Sequence, residues 1–522
     1  MSERAELDRL HSQGRSLGGR PDRRSSRRFV VGAALLSSAS VSKLALQCVL
    51  IPVFARLLGP DAFGLMSLAM SFVLLANMLS DGGMASALVR VESPDPALES
   101  TVYWISAIIG LALAAAIALA AWPLSRAYSQ PELFYVMLAL APILVASSCL
   151  SVANARIVRW QRFDAFAAGD VGCAALGAAV GLTLAFRGFG VWSLVGQQLA
   201  FWSAKTAWVS HVAAFRPAAV LRFRSARPLL RFSANNLAAN IADFVGKNVP
   251  VLIVGGALGV GPVARYAMAY QLSRVAEMVV SEPVSLAAFS AVAATKSPRQ
   301  AAGFVLTALR ILMLALAPLF CGLALTADLV AQAALGPRWT GAGPAIAALT
   351  PGALLLCLYR FATAVLLGAG RAERTLKLTV VTAIALALGT LAGVRGGVTA
   401  AILGFSLAAT MLLPLYVRSL ARPMRLTARQ TLATAIPSLA PTAAMALAVL
   451  AARAESVGAA PFERLGLSVV IGALVYGAVA FLFERNRIRA DLERLRALQA
   501  ERTPDPDAWP YLPAASDRAS SG

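Results

Sequence analysis

Eight ionisable side chains sit inside long apolar runs: Lys43, Lys205, Asp243, Lys247, Arg274, Glu277, Arg310 and Arg360. At the centre of a membrane helix each charge costs about 2.5–3.5 kcal/mol to insert, so they must face a wet cavity or one another. Their spacing groups them. Asn236, Asn240, Asp243 and Lys247 recur at +4, +3, +4, which makes one polar stripe on a helix. Gln271, Arg274 and Glu277 recur at +3, +3, and Ser40, Lys43 and Gln47 at +3, +4. Two chemistries are open to Asp243, Arg274 and Glu277: pairing within the membrane (Asp243 with Arg274, or Arg274 with Glu277) or contact with a ligand. Lys43, Lys205, Arg310 and Arg360 have no acidic residue one turn away on their own helix, which makes them candidates for holding an anion. With Lys247 and Arg274 they form a cationic set suited to a phosphate or an acidic sugar, and unsuited to an organic cation.

The elements that position these residues follow from composition. The 522 residues are 58% hydrophobic and only 14% charged, with a mean hydropathy of +0.69. Soluble domains carry roughly a quarter charged residues, so the chain reads as an all-α polytopic membrane protein. Its net charge of +21 would suit a nucleic-acid binder, but the basic residues gather in short gaps between apolar runs and at the ends, where topology accounts for them. Cys48, Cys149, Cys173, Cys321 and Cys357 all lie in apolar runs without metal-ligand spacing, and His11 and His211 form no cluster. No loop is long enough for a catalytic domain. No Walker A, HExxH or strand-borne GxSxG motif occurs. Neither an enzyme nor a cofactor is expected, and nucleic acid is not expected as a partner.

Fourteen apolar runs are long enough to be membrane helices. With the N-terminus inside, eighteen loop Arg and Lys residues fall on the inside and eight on the outside, which favours two cytoplasmic termini. The first span is too long for a cleaved signal and continues into further spans. A repeat divides the spans. Ser40, Lys43, Gln47 and Leu58-Gly59 correspond to Asn240, Asp243, Lys247 and Leu258-Gly259 at an offset of 200. Pro142 and Arg162 correspond to Pro351 and Arg371 at 209, and Arg187-Gly188 to Arg395-Gly396 at 208. Two pseudo-symmetric six-helix lobes in parallel orientation follow, plus two extra C-terminal helices. The expected divisions are a tail at 1–28, an N-lobe at 29–216, a linker and C-lobe at 217–426, two helices at 427–484 and a tail at 485–522. That last tail starts as a basic amphipathic stretch (Arg485, Arg487, Arg489, Arg494, Arg496), expected to lie as a helix on the membrane surface, with a helix in solution as the alternative.

Ala55-Arg56-Leu57-Leu58-Gly59-Pro60-Asp61-Ala62-Phe63-Gly64-Leu65, Asp81-Gly82-Gly83-Met84-Ala85-Ser86-Ala87-Leu88-Val89-Arg90 and Arg187-Gly188-Phe189-Gly190-Val191-Trp192-Ser193-Leu194 resemble bacterial oligosaccharide flippases of the Wzx type. That family belongs to the multidrug/oligosaccharidyl-lipid/polysaccharide exporter superfamily. The resemblance implies a multi-pass protein of the bacterial inner membrane. It would flip undecaprenyl-pyrophosphate-linked oligosaccharides by ion-coupled alternating access around a cationic cavity. The implied partners are that lipid-linked substrate, membrane lipids, and a polysaccharide polymerase or glycosyltransferases. The alternatives are a lipid II flippase, a drug exporter of the same superfamily, and a non-transporting membrane scaffold. Under the flippase reading, the cations hold the pyrophosphate or acidic sugars, and Asp243 or Glu277 titrates to couple protons. Exchanging Asp243 for Asn is then expected to make transport independent of pH; an unchanged pH profile overturns that role.

Overall fold

The computed structural model describes residues 23–81, 88, 95–160, 162–220, 244, 248–295, 298–456 and 458–500. Among the described residues the chain is helical, with no strand. Residues 23–58 (α1) and 60–81 (α2) are separated by a kink at Gly59. They are followed by α3 (Pro96–Ala127), α4 (Pro131–Arg159), α5 (Phe163–Phe186), α6 (Val191–Ala213), α7 (Asn248–Leu258), α8 (Val260–Ala294) and α9 (Pro298–Leu325). Next come α10 (Ala342–Gly368), α11 (Ala372–Gly393), α12 (residues 397–424, broken at Leu412), α13 (Ala428–Glu455) and α14 (Pro461–Ala500). Among the described residues ten stretches are long and apolar enough to cross a membrane. Two of them each contain two of these helices, α1 with α2 and α11 with α12, while α6 and α7 fall short of the measure.

The repeat reappears in the backbone. Gly59 (φ 76°, ψ 178°) and Gly259 (φ 86°, ψ −175°) take the same conformation, one that side chains disfavour, so each Leu-Gly pair ends one helix and starts the next. Arg162 (φ −82°, ψ 53°) and Arg371 (φ −100°, ψ 52°) stand at matching starts of α5 and α11. The Arg162 N–H donates to the Ile157 carbonyl at 3.1 Å and the Arg371 N–H to the Leu366 carbonyl at 2.9 Å, each five residues back. Equivalent residues making equivalent turns is what two copies of one fold require.

The core forms several clusters. Leu65, Leu68, Leu133, Met137, Leu144 and Val195 anchor one in the first half. In the second half, Leu312, Phe361 and Tyr416 form one cluster, and Tyr266, Ile346 and Phe405 another, which also takes in Ile51 and Ala55 of the first half. Among the described residues, Trp104 and Thr101 hold the linker carbonyls of Ala218 and Val220 at one end, while hydrogen bonds linking α1 and the end of α3 to the helices of the second half lie toward the opposite end, which carries the Leu-Gly turns. The last four carbonyls of a helix have no partner within it, and here the two halves satisfy one another's. The Trp339 Nε1–H donates to the Ala55 carbonyl at 2.9 Å and the Arg338 guanidinium to that of Leu57 at 3.4 Å, both in the last turn of α1. In return Arg56 donates to Ala333 and Ala334, at the end of a π turn (Ala331–Leu335) closed by Gly336 at φ 93°. Trp339 is 2% exposed and meets Phe63 edge-on, with ring centroids 5.5 Å apart. Beside it α2 crosses the start of α8 so closely that a Cβ on Gly64 would stand 1.9 Å from the Val260 carbonyl oxygen.

The last two helices pack on each other and attach to α9. The Tyr476 hydroxyl donates to the Leu314 carbonyl at 2.5 Å, and Arg453 donates to that of Leu325. Helix α14 runs unbroken for 40 residues. Its part after Phe483 extends the helix by 17 residues, roughly 25 Å of helical length.

Gly64→Ala is expected to lower the thermal stability of the purified protein by about 1–3 kcal/mol, because the backbone opposite has no room to give. Gly172→Ala, where nothing lies within 4 Å, should leave it unchanged or slightly higher. Thermal unfolding in detergent checks both; equal melting temperatures would contradict the close crossing.

Candidate functional site

Four of the sequence-derived candidates fall into two clusters well away from the joint, Lys43 and Lys205 in the first half and Glu277 and Arg360 in the second. Lys43 lies sixteen residues before Gly59 and Glu277 eighteen after Gly259, so each sits roughly 24–27 Å along its helix from the turn.

In the first half, α1, α5 and α6 bring Lys43, Asp170 and Lys205 together. One Asp170 carboxylate oxygen accepts from Lys43 Nζ at 2.6 Å and the other from Lys205 Nζ at 2.8 Å. Aromatic faces surround Lys205, with Nζ 5.4 Å from the Phe201 centroid, 5.6 Å from Phe166 and 5.8 Å from Trp202. Lys43 is the open member: its side chain is 32% exposed, against 17% for Lys205 and 16% for Asp170. Two ammonium groups on one carboxylate leave one net positive charge, and Lys43 is the group able to present it to a ligand. Lys43 and Lys205 are thus not the unpaired cations that their own helices suggested, because the acid arrives from α5. Asp170 was missed from sequence, although a signal existed. It lies about as far before the Gly188–Gly190 turn as Lys205 lies after it, so an antiparallel hairpin places both at one depth.

In the second half the pairing also differs from expectation. Glu277 is bound by Arg360 from α10, not by Arg274 from its own helix. Arg360 also lies 3.7 Å from Glu282. On an α-helix, residues five apart point about 140° away from each other. The π turn at Glu277–Ser281 closes i to i+5 and brings both carboxylates to one side, facing the guanidinium. Ser281 is fully buried in the same turn, its hydroxyl 3.5 Å from the Cys357 carbonyl. Arg360 is therefore an ion-paired residue as well. Arg274 is exposed on α8, Gln271 and Arg310 are half-buried, and Gln47 is exposed on α1. Asn236, Asn240, Asp243 and Lys247 lie outside the described residues, as does the side chain of Ser40.

A third charged group holds the base of the first half. Glu99, 6% exposed, accepts from Arg156 at 3.0 Å and lies 3.9 Å from Arg159. Arg159 and Arg162 donate to the carbonyls of Leu88 and Val212. These arginines, counted as loop charges from sequence, also pin α3, α4 and α6 together. Among the described residues no group of three His, Cys, Asp or Glu could hold a metal.

A family profile described as "Polysaccharide biosynthesis protein" matches residues 53–344. Succinoglycan biosynthesis transport protein ExoT of Rhizobium meliloti (strain 1021) is 26% identical over 330 residues, 63% of this chain and 66% of its own length. Lipopolysaccharide biosynthesis protein WzxC of Escherichia coli (strain K12) is 24% identical over 276 residues, 51% of this chain and 54% of its own. The chain thus spans less than two thirds of these relatives. Among solved structures, lipid II flippase MurJ in an inward closed conformation superposes with a TM-score of 0.71, at 14% identity, over 87% of this chain and all of its own. At that identity the likeness is one of fold.

Removing the shared carboxylate with Asp170→Asn leaves two ammonium groups facing each other. The expected loss of stability falls short of the roughly 3–5 kcal/mol of a fully buried pair, since Lys43 reaches solvent. Lys43→Met, which leaves the Asp170–Lys205 pair neutral, should cost less than Lys205→Met. Thermal unfolding of the three variants gives the order; equal costs for the two lysines would contradict the shared-carboxylate geometry.

Proposed function

The chain belongs to the polysaccharide biosynthesis protein family, and we propose that it moves undecaprenyl-pyrophosphate-linked oligosaccharide units across the bacterial inner membrane for surface or exopolysaccharide assembly. The observation that carries this reading is the joint. The two halves hold each other at one end through helix-end carbonyls, while their charged clusters sit a helix length away. In the proposed topology of fourteen passes with both termini cytoplasmic, the joint lies on the periplasmic side. A cleft between the halves then opens toward the face where lipid-linked sugars are made. The names of the two relatives, in succinoglycan transport and lipopolysaccharide biosynthesis, support the same substrate class.

The clusters suggest how an anionic head group is received. Lys43 and Arg360 already hold carboxylates, so a pyrophosphate binds by exchange, taking over the cations as Asp170 and Glu277 let go. The buried acids keep the cations satisfied when no substrate is present, which an empty cationic cleft would fail to do. Arg274 and Arg310 extend the proposed cationic set, and Gln47 and Gln271 supply its polar groups; Lys247, Ser40, Asn236 and Asn240 are assigned to it from sequence alone. A carboxylate released by the substrate, such as Glu277, is free to take up a proton, which couples flipping to an ion gradient; Asp243 is the other candidate, from sequence alone. Polymerase or glycosyltransferase partners would take the unit on the far side.

Deleting the gene is expected to leave complete lipid-linked oligosaccharide on the cytoplasmic leaflet and to abolish surface polysaccharide. Wild type should restore it. The Lys43→Ala/Arg274→Ala variant, which leaves the Asp170–Lys205 and Glu277–Arg360 pairs intact, should restore less than about a tenth at equal expression. Full rescue by that variant would favour a scaffold. Unchanged glycolipids with altered drug sensitivity would favour an exporter.

A further inference from the structure

A slot on the second half, outside both charged clusters, combines a basic rim with an apolar floor. It encloses about 380 Å³ between α11 and the last segment of α12 (Leu413–Met424). Arg374, Lys377, Leu378 and Val381 line one wall, and Leu415, Arg418, Ser419 and Arg422 the other. Both sets follow i, i+3, i+4, i+7, so each wall is a single stripe of one helix. The charges are sorted along the slot. Arg374, Lys377, Arg418 and Arg422 stand toward the end where α11 begins and α12 finishes. Leu378, Val381 and Leu415 lie deeper, with Leu366 of α10 as the floor.

This polarity matches the bilayer. Helix α11 spans 22 residues, roughly the 30 Å of a hydrocarbon core, so its first turn stands at the head-group level. Below the slot the outer face of α11 continues apolar and exposed through Ile384 and Leu388. Among the described residues, the acid beside the slot is Glu373, which pairs with Lys377 at 2.6 Å and also interacts with Arg374, while Arg418 and Arg422 stand on the opposite wall. The buried face of the α12 segment (Tyr416, Val417, Leu420, Met424) packs into the core, so its arginines are held in place on the opposite face.

We propose that this slot binds a phospholipid with an anionic head group, the phosphate between Arg374, Arg418 and Arg422 and one acyl chain running past Leu378, Val381 and Ile384. Basic pockets between membrane helices at the cytoplasmic interface recognise such head groups through several cations acting together on one phosphate. The bound lipid fills the gap between α11 and α12 and fixes the end of the second half against the bilayer surface. This inference rests on the chain lying in a membrane and not on the substrate it moves.

The test uses the full-length protein in nanodiscs containing phosphatidylglycerol and phosphatidylcholine, with bound lipid measured by mass spectrometry after extraction into detergent. Wild type should retain phosphatidylglycerol in preference to phosphatidylcholine. Arg418→Gln/Arg422→Gln should lose at least about tenfold of that preference, at about 1 kcal/mol per cation removed. Val381→Trp, which fills the slot but keeps every charge, should also lose it. Arg395→Gln, at the opposite end of α11, should not. Equal retention by wild type and both slot variants overturns the proposal. So does displacement of the lipid by millimolar inorganic phosphate, which would make the slot a free-anion site, or by stoichiometric undecaprenyl pyrophosphate, which would make it part of the substrate path. If the double variant fails to purify, Val381→Trp decides alone.

Discussion

The structure depends on how two helix ends are closed. The last carbonyls of a helix have no partners within it and must find them elsewhere. Here each half supplies them to the other: Trp339 and Arg338 serve α1, and Arg56 serves the π turn before Gly336. Separating the halves at this end would strand several carbonyls at once. The joint is therefore a lock made of ordinary capping. It also explains why the Leu-Gly turns sit where they do: the positive φ at Gly59 and Gly259 ends α1 and α7 abruptly and lets α2 and α8 cross in contact.

Away from the lock, the halves are internally held by charge. Asp170 between two lysines and Arg360 between two glutamates have mirrored logic. Such groups are costly to leave alone in an apolar setting, yet easily exchanged for a better-matched counter-charge. A protein that must release a bound anion needs cations with a place to return to. In the proposed function the two clusters would provide it, since Lys43, Lys205 and Arg360 of the cations read from sequence stand in ion pairs.

The two added helices and the basic slot belong to the second half alone. Helix α14 leans on α9 and continues past the span as one helix. The slot between α11 and α12 faces away from the core. The added helices break the symmetry of the repeat, and the slot breaks it in charge: its counterpart in the first half, between α5 and α6, is lined by Gly169, Gly172, Leu176 and Trp208 and carries no arginine.

Much of this was legible from the chain. Apolar runs, the 200-residue offset and the glycines at the turns determine an all-helical membrane protein made of two related halves, because hydrophobic length and backbone freedom are local properties. The family likeness was legible for the same reason, since Leu58-Gly59 and Arg187-Gly188-Phe189-Gly190 are turn sequences. Which charge meets which was not. Lys43 finds Asp170 across 127 residues and Arg360 finds Glu277 across 83, and only the packing of α1 on α5 and of α8 on α10 sets those distances. Sequence spacing reports neighbours on one helix; in a bundle, the partner that decides whether a cation is free stands on another.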